Sequence, residues 1–377
     1  MNIPRTLVVT NDFPPRVGGI ERVLHSLLAE LPHDLVSVLA PFSDGHLRFD
    51  EAEPYEVFRL PGDFLWPTPR LARRLDDVIA ASGADVVLFG DVVPLAVLGP
   101  RLARRGTPYV VAAHGFAYWL SRLAGTHALI RYSTSIASRV PVMCSRFIAE
   151  FVRTAVPEQV PVSTLYPGAD LDRFHPDVSG DEVRARYGLV DRPVVVCVSR
   201  LVMRKGQDVL IRAMPAIRRR VPDATLLIVG GGPYRRRLEV LAREAPAGSV
   251  AFAGEVRDGE LPSYYAAGDV FAMPCRTRLG GLEVEGLGVV FLEAASCGRP
   301  VVTGDSGGAR EAIVDGETGI LVDGRSVRDV AGAVSELLVD RELARTMGKA
   351  GRARIERSFT WPAMAARLGA WLREAGA

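Results

Sequence analysis

The sequence predicts an α/β protein with two doubly wound domains, each built around a parallel sheet. Short β-branched apolar runs alternate with longer amphipathic stretches along the whole chain. Most of these runs are unbroken rather than alternating, as expected of parallel strands that helices cover on both faces. The chain also has 377 residues, which is too long for one ordinary core and suits two.

The strands are predicted in two sets of six. The first set comprises residues 6–10, 36–40, 86–89, 109–112, 141–144 and 162–165. The second comprises residues 194–198, 226–229, 250–253, 270–273, 301–303 and 320–322. Helices are predicted between them, among them residues 20–31, 210–219 and 234–243. This repeated order is typical of two Rossmann-like domains, with ligands bound beyond the carboxyl ends of the strands in a cleft between them.

A domain boundary is predicted where LYPGADLDRFHPD interrupts the periodicity. It separates an N-terminal domain at residues 1–168 from a C-terminal domain at residues 169–360. Asp170 and Asp172 within this segment could be read as a metal-binding pair. Turn-forming and capping aspartates are the better interpretation, because the segment has turn chemistry and does not follow a buried strand.

The composition and the lengths of the apolar runs limit the classes of protein to which this chain can belong. Hydrophobic residues make up 48% and charged residues 24%, as in globular proteins, and no window has the roughly 18 apolar residues of a membrane span. The N-terminus shows no secretory signal, and the four cysteines are widely spaced without a CxxC pair. We therefore expect a cytoplasmic protein with buried thiols, either soluble or peripheral on the inner face of the plasma membrane.

The charge distribution argues against nucleic acid as a partner. Residues 1–180 carry 17 Arg and no Lys against 19 acidic residues, and the whole chain has a net charge of +2. Neither half is basic enough for a nucleic-acid domain, and aromatic residues do not interleave with basic runs. Arginine outnumbers lysine 44 to 2, so each lysine is conspicuous.

The loop TNDFPPRVGGIE after the first strand is a candidate anion site. Gly18 and Gly19 precede a predicted helix, where backbone N–H groups and the helix dipole favour an anion, although the glycines could merely permit a tight turn. The loop lacks the GxGxxG pattern, which excludes a nicotinamide dinucleotide fingerprint. Asp12 in the same loop could face the cleft or cap a turn.

His114 follows another predicted strand, in VVAAHGFAYWL. A lone histidine is often structural, but its position at the carboxyl end of a strand favours function. A neutral imidazole can donate to a sugar hydroxyl, and its protonation responds to a nearby phosphate.

The segment SRLVMRKGQD places Arg200 and Lys205 in one strand-to-helix loop. A lysine in so arginine-rich a chain indicates a need for a compact ammonium, and the pair could clamp a diphosphate. Solvated surface charge is the alternative, and it is the interpretation favoured for Arg204. Gly230–Gly232 after the next strand could bind an anion or form a sharp turn.

The segment EVEGLGVVFLEA places two carboxylates around a glycine-rich turn. Glu285 is predicted in the loop, where Gly288 and Val289 offer backbone N–H groups, and Glu293 in the first turn of a helix that begins near Val290. The two could accept hydrogen bonds from a sugar and a ribose, with helix capping as the alternative for Glu293. Glu283 is interpreted as surface charge.

These motifs resemble a known enzyme family. Arg200 and Lys205 followed by Glu285 and Glu293, on two α/β domains, resemble the retaining glycosyltransferases of the GT-B fold (family four), and the resemblance covers essentially the whole chain. VTNDFPPRVGGIE, SRLVMRKGQD, IVGGGPY, DVFAMPCRTR and EVEGLGVVFLEA are similar to the actinobacterial phosphatidylinositol mannoside mannosyltransferases of the PimB type. Phe116-Ala117 after His114 depart from the polar or acidic pair expected there, on the acceptor side.

The resemblance implies transfer of mannose from GDP-mannose to a lipid-linked acceptor, with retention and without a metal or other cofactor. It implies that Glu285 binds hydroxyls of the transferred sugar, that His114 contacts the sugar near its C6 hydroxyl, and that Glu293 binds the ribose. It implies that the diphosphate is bound by Arg200, Lys205 and the backbone of Gly19. The backbone of Val256 would contact the base, and the loop with Asp12 would face the acceptor. It also implies that a helix within residues 361–377 crosses back onto the first domain.

Other readings stay open. A soluble acceptor, another nucleotide sugar, a sugar-nucleotide 2-epimerase and a binding protein without turnover would all use a similar donor site. A lipid acceptor requires contact with an anionic membrane, for which FLWPTPRLARRLDDVIAAS is the candidate. It offers apolar residues followed by arginines, namely Phe64, Leu65, Trp66, Arg70, Arg73 and Arg74. Asp76 and Asp77 offset part of the positive charge of these arginines, so an ordinary amphipathic surface helix is the alternative.

Overall fold

A computed structural model describes residues 2–377 and divides into two compact units. The first comprises Met1–Gly168 with Trp361–Ala377, and the second comprises Ala169–Thr360. Each contains a parallel sheet with helices on both faces, as the unbroken apolar runs predict.

The sheet of the first unit has five parallel strands in the order β3-β2-β1-β4-β5. These are β1 (Thr6–Val9), β2 (Val36–Pro41), β3 (Glu56–Leu60), β4 (Val86–Phe89) and β5 (Tyr109–Val111). A parallel pair, β6 (Val140–Val142) and β7 (Val162–Thr164), extends it through single bridges next to β5. The order places the loops after β1, β4 and β5 side by side at one edge.

The helices of this unit up to residue 168 are α1 (Gly19–Ala29), α2 (His46–Asp50), α3 (Pro69–Ser82), α4 (Gly99–Ala103), α5 (Gly115–Ser121), α6 (Ala124–Ser133) and α7 (Arg146–Ala155). Helix α1 buries Leu24, Leu27 and Leu28 against the sheet, which fits the predicted helix at 20–31. The predicted strands of this half are all present, with ends that shift by one or two residues.

The second unit has six parallel strands in the order β10-β9-β8-β11-β12-β13. These are β8 (Val194–Val198), β9 (Thr225–Val229), β10 (Val250–Gly254), β11 (Val270–Met273), β12 (Val301–Gly304) and β13 (Gly319–Val322). Its helices are α8 (Asp181–Arg186), α9 (Gln207–Arg220), α10 (Arg235–Glu244), α11 (Leu261–Ala267), α12 (Val289–Ser296), α13 (Val327–Val339) and α14 (Arg341–Ser358). All six predicted strands of this half are present.

The last helix, α15 (Trp361–Gly376), packs in the core of the first unit. Met364, Leu368 and Leu372 are buried there with Val8, Leu88 and other residues of the sheet. Burial of several large apolar side chains contributes on the order of 1.5–3 kcal/mol each, so this terminal helix is integral to the unit.

The segment between β7 and α8 contains the Asp170–Asp172 pair. The Arg173 backbone N–H donates to Asp170 Oδ1 at 3.0 Å, which is the turn hydrogen bond expected of an aspartate in this position. Across residues 2–377, no group of three or more His, Cys, Asp or Glu side chains is arranged to hold a metal ion. All four cysteines are buried thiols. No helix in the same range is long and apolar enough to cross a bilayer.

Candidate functional site

The second unit gathers polar side chains at the carboxyl ends of its central strands. Lys205 follows β8 in a single 3-10 turn, Met203–Lys205, and is only 8% exposed. Its Nζ lies 2.8 Å from Oε2 of Glu285, which follows the adjacent strand β11 and is 6% exposed. The predicted lysine and glutamate therefore meet as a buried ion pair.

Arg204 completes this cluster. Its Nη1 donates to the same Glu285 Oε2 at 2.6 Å, so the interpretation of Arg204 as solvated surface charge is wrong. Burial raises the pKa of Glu285, but the charges of Lys205 and Arg204 outweigh it and hold that pKa below the usual value. Glu285 is therefore a carboxylate at neutral pH, with its geometry set by two cations. Sequence reasoning missed Arg204 because arginine is so common in this chain.

Arg200 occupies the same loop in a different way. Its side chain is exposed and makes no described polar contact within residues 2–377, while its backbone oxygen accepts from Gln207 Nε2 at 3.2 Å. The structure thus brings Lys205 onto Glu285 and leaves the Arg200 guanidinium to solvent. An arginine of this kind is available to an anionic ligand.

The loop that carries Glu285 is fixed by residues that sequence reasoning missed. The Glu285 N–H donates to Ser306 Oγ at 3.2 Å, and the Gly308 N–H donates to the Glu285 carbonyl oxygen at 2.9 Å. Gly307 between them has φ +54°, and a Cβ there would collide with the Glu285 carbonyl oxygen. The signal in the sequence was DSGGAR directly after the strand at 301–303, a glycine pair beyond a strand end.

Gly307→Ala will therefore lower activity at this site by at least about tenfold, because it displaces the backbone of Glu285. It will also destabilise the chain by about 1–2 kcal/mol. Gly316→Ala is the matched control, since Gly316 has φ +76° but open space around a Cβ. Steady-state kinetics and urea unfolding of both variants check this. Equal kinetic losses in the two would contradict a special role for the 307 position.

Helix α12 begins at Val289, one residue before the predicted start. Gly288 precedes it with φ +86°, and no side chain caps this end, so the first backbone N–H groups of the helix are available to a ligand. Glu293 is the fifth helical residue, in the second turn and not the first as predicted. It is 2% exposed, and the buried Tyr265 donates to its Oε2 at 2.6 Å, a contact with no signal in the sequence.

Val256 and Gly230–Gly232 follow β10 and β9, which lie on the opposite side of β8 from β11 and Glu285. Val256 follows β10 and is half-buried, and neither its N–H nor its carbonyl makes a described hydrogen bond. A Cβ on Gly230 or Gly232 would collide with the carbonyl oxygens of Ser199 and Leu201. Close packing against the Arg200 loop therefore accounts for Gly230 and Gly232, and anion binding by this run stays a prediction.

In the first unit, the glycine pair begins α1. A Cβ on Gly18 would collide with the carboxylate of Glu21, whereas Gly19 has open space around it. No side chain caps this helix, but Glu21 lies in its first turn and already offsets its dipole. The backbone of Gly19 can therefore approach a ligand, with weaker attraction for an anion than the glycines alone predict.

His114 is the N-cap residue of α5, although its side chain makes no capping hydrogen bond, and it is 3% exposed. Its Nε2 lies 2.9 Å from the Gly90 carbonyl oxygen, and a carbonyl only accepts, so Nε2 carries the proton. Burial lowers the pKa of His114 to about 4, which keeps the ring neutral at physiological pH. The prediction that His114 donates to a sugar hydroxyl is wrong for Nε2, and the remaining Nδ1 can only accept. Charge switching near phosphate is likewise not expected.

Asp12 and Asp91 follow β1 and β4, which are neighbouring strands. Asp12 is half-buried, and burial followed by the charge of Glu21 raises its pKa. Burial and, more weakly, the charge of Asp12 raise the pKa of Asp91 to about 7. Sequence reasoning missed Asp91, although FGD directly after a buried strand was a usable signal.

Asp91→Asn tests this burial through stability. The pKa of Asp91 is about 7 in the folded chain, against the ordinary 3.8. The contribution of Asp91 to the free energy of unfolding is therefore most favourable below pH 4, and it is lost as the pH rises to 7. Asparagine does not ionise, so the gain in free energy of unfolding over wild type will be roughly 2 kcal/mol larger at pH 8 than at pH 5. The exposed Asp44→Asn is the control, with no such difference in urea unfolding. A pH-independent effect of Asp91→Asn would contradict the assignment.

The predicted membrane segment exposes most, but not all, of the residues named for it. Leu65 is buried, and its backbone N–H and carbonyl both bond to Asn11. Only Phe64 and Trp66 of the three apolar residues are exposed. Helix α3 buries its apolar side, and Asp76 pairs with Arg101 and Arg105. Arg70, Arg73 and Arg74 are exposed, so membrane contact by this segment stays a prediction.

Comparison with known proteins places this arrangement in a family. The model "Glycosyltransferase Family 4" matches residues 17–173, and the model "Glycosyl transferases group 1" matches residues 180–354. A GDP-mannose-dependent alpha-(1-6)-phosphatidylinositol monomannoside mannosyltransferase of Mycobacterium tuberculosis is 45% identical, over 98% of each chain. The chain belongs to this glycosyltransferase family.

Further relatives agree with this assignment. The GDP-mannose-dependent monoacylated alpha-(1-6)-phosphatidylinositol monomannoside mannosyltransferase of Corynebacterium glutamicum is 39% identical, over 97% of this chain and 96% of the relative. The HepE protein of Anabaena, solved in complex with UDP, superposes with a TM-score of 0.80 at 22% identity, over 98% of this chain and 99% of that one. That likeness shows the fold alone. The predicted resemblance of this chain to the GT-B glycosyltransferases is thereby confirmed.

Proposed function

We propose that this glycosyltransferase moves mannose from GDP-mannose to a phosphatidylinositol mannoside acceptor, adding the second, α-1,6-linked mannose with retention. The observation that carries the proposal is the buried Lys205–Glu285 ion pair beside an exposed Arg200. The full-length relatives named for this reaction support the choice of donor and acceptor.

The donor diphosphate is assigned to Lys205, Arg200 and the start of α12. Lys205 has three N–H donors and the described contact uses one, so two can reach phosphate oxygens. Arg200 can close on the diphosphate without breaking a protein contact, and the uncapped backbone at Gly288 and Val289 adds donors. These groups stabilise charge that grows on the leaving diphosphate, so we expect transfer without a divalent metal or other cofactor.

The sugar and the ribose are assigned to the two glutamates. Lys205 and Arg204 occupy Glu285 Oε2, and Oε1 makes no described hydrogen bond, so Oε1 can accept from a mannose hydroxyl. Tyr265 fixes Glu293, which would accept from the ribose, and the backbone of Val256 would contact the base. Both carboxylates act as positioned acceptors, and neither is assigned an acid–base role.

The acceptor is assigned to the first unit. Asp12 and Asp91 would accept from its hydroxyls, and the open backbone at Gly19 and the Nδ1 of His114 are the other ligand-binding groups proposed for this unit. In the proposed front-face step the acceptor oxygen bonds to the anomeric carbon on the face that the diphosphate oxygen leaves. The acceptor proton passes to that leaving oxygen, so no covalent enzyme intermediate is needed.

A radiolabelled activity panel tests the proposal. GDP-mannose and UDP-glucose are each offered with a phosphatidylinositol monomannoside, with a soluble inositol phosphate, and with no acceptor. We expect label from GDP-mannose in a dimannoside, an α-1,6 linkage by NMR, and an unchanged rate in EDTA. Equal transfer to the soluble acceptor would replace the lipid acceptor, and an epimer formed without acceptor would establish the epimerase instead. A requirement for added metal would contradict the charge assignment.

A further inference from the structure

Helices α5 and α6 present an unusual outer surface, which we call the α5–α6 face. Its large exposed residues are Phe116, Trp119, Leu123, Leu129, Tyr132 and Ile136, between 37% and 57% exposed. The other exposed residues between 115 and 136 are only glycine, alanine and arginine. Surface helices of globular proteins normally carry charged and polar residues outward.

The arrangement is helical and two-sided. Phe116 and Trp119 are spaced i and i+3 on α5, so they lie along one side, while Ala117 and Leu120 are buried on the other. Leu123 is exposed just beyond the end of α5, as the residue that precedes α6. Helix α14 shows the ordinary case, because its exposed residues are Arg, Lys, Glu, Thr and Ser. The apolar residues of the α5–α6 face are thus not scattered single exposures.

The α5–α6 face, within residues 115–136, carries Arg122 and Arg131 and no Lys, Asp or Glu, and the flanking sequence continues this bias. Residues 92–149 contain seven Arg and no Lys, Asp or Glu, with Asp91 and Glu150 as the flanking acids. Some of these arginines are paired elsewhere, for example Arg101 with Asp76. Arg131 is exposed, and no polar contact is described for its side chain. Aromatic residues with arginines and no carboxylates favour a surface that is both apolar and negatively charged.

We propose that the α5–α6 face docks onto an anionic phospholipid surface. The proposal rests on the proposed function, which requires a lipid acceptor, and it assigns the membrane contact to a segment other than residues 64–74. The face begins at the end of β5, where His114 is the N-cap residue of α5, so docking would bring the acceptor-side residues of the first unit to the headgroup layer. Interfacial insertion of Trp119 and Phe116 supplies affinity, and arginine supplies the preference for negative charge.

Tryptophan quenching locates the contact in the full chain. Vesicles contain brominated phosphatidylcholine with 30% phosphatidylglycerol, or brominated phosphatidylcholine alone. Trp119→Phe and Trp66→Phe form the matched pair, since both residues are exposed and each change keeps an aromatic ring. We expect quenching with the anionic vesicles that Trp119→Phe removes and Trp66→Phe retains. The reverse pattern would assign docking to residues 64–66 and overturn the proposal.

A second variant measures the contribution to binding. Trp119→Ser with Leu123→Ser will weaken co-sedimentation with the anionic vesicles by at least about tenfold, because it removes two apolar anchors. Phe64→Ser with Trp66→Ser is the control, with a change under about twofold. Unchanged binding of the first variant would overturn the proposal. The proposal would also be overturned if the wild type failed to bind vesicles and formed dimers as its concentration rises, and if the Trp119→Ser, Leu123→Ser variant abolished those dimers.

Activity separates docking from the proposed function. The Trp119/Leu123 variant should transfer mannose to a short-chain, water-soluble acceptor within about twofold of wild type, and at least about tenfold more slowly to acceptor in vesicles. Equal rates in both assays would overturn docking. Failure of wild type to use either acceptor would instead contradict the proposed function, while the quenching experiment would still decide the docking surface.

Discussion

Lys205→Met will reduce transfer from GDP-mannose by about 100- to 1,000-fold. In the proposed function Lys205 contributes a fixed positive charge where the diphosphate leaves, and loss of one such group typically costs this much in rate. The Lys205 Nζ also lies 2.8 Å from Glu285 Oε2, so its removal disturbs the carboxylate that is proposed to accept from the sugar hydroxyl. Steady-state kinetics give the result, with Lys349→Met as control because Lys349 is the other lysine of the chain and is exposed.

Stability measurements separate this catalytic loss from misfolding. Lys205→Met leaves Glu285 buried with Arg204 as its remaining cation, so we expect a loss of about 1–3 kcal/mol in the free energy of unfolding. Glu285→Gln in the same chain removes the buried carboxylate but also weakens the contact with Arg204, so stability should recover only in part, while transfer stays at the low level. A double variant that regains transfer along with stability would show that Lys205 acts only through folding.

The parallel strands were the most predictable part of the fold. Their buried runs, such as Val194–Val198, are unbroken and apolar, and all twelve predicted strands are present. The missed strand, Glu56–Leu60, lies at the edge of its sheet and is only half-buried. Its charged residues, Glu56 and Arg59, break the apolar run, because an edge strand is covered less than a central one.

The site was predictable where it follows strand ends and unpredictable where it depends on side-chain partners. Position after a strand identified Lys205 and His114. The pairing of Arg204 with Glu285, and of Tyr265 with Glu293, joins residues 81 and 28 positions apart, for which one sequence gives no spacing signal. The tautomer of His114 depends in the same way on the Gly90 carbonyl, which only the packing of β4 beside β5 supplies.

Arg200→Ala and Arg204→Ala will have opposite signatures, although the two arginines lie in the same loop. Arg200 makes no described side-chain contact, so its removal should change the free energy of unfolding by less than about 0.5 kcal/mol. Transfer should fall by about 100-fold, mostly in kcat, because the charge on the leaving diphosphate is larger in the transition state than in the bound donor.

Arg204→Ala instead removes a charged hydrogen bond to a buried carboxylate, which should cost about 1–2 kcal/mol of stability. Lys205 still holds Glu285, so transfer should fall by no more than about tenfold. Urea unfolding and kinetics on the two variants, side by side, give a crossed pattern that no general loss of positive charge would produce. If Arg204→Ala proves the more damaging to kcat at unchanged stability, then Arg204 and not Arg200 contacts the diphosphate, and Glu285 must exchange its partner when the donor binds.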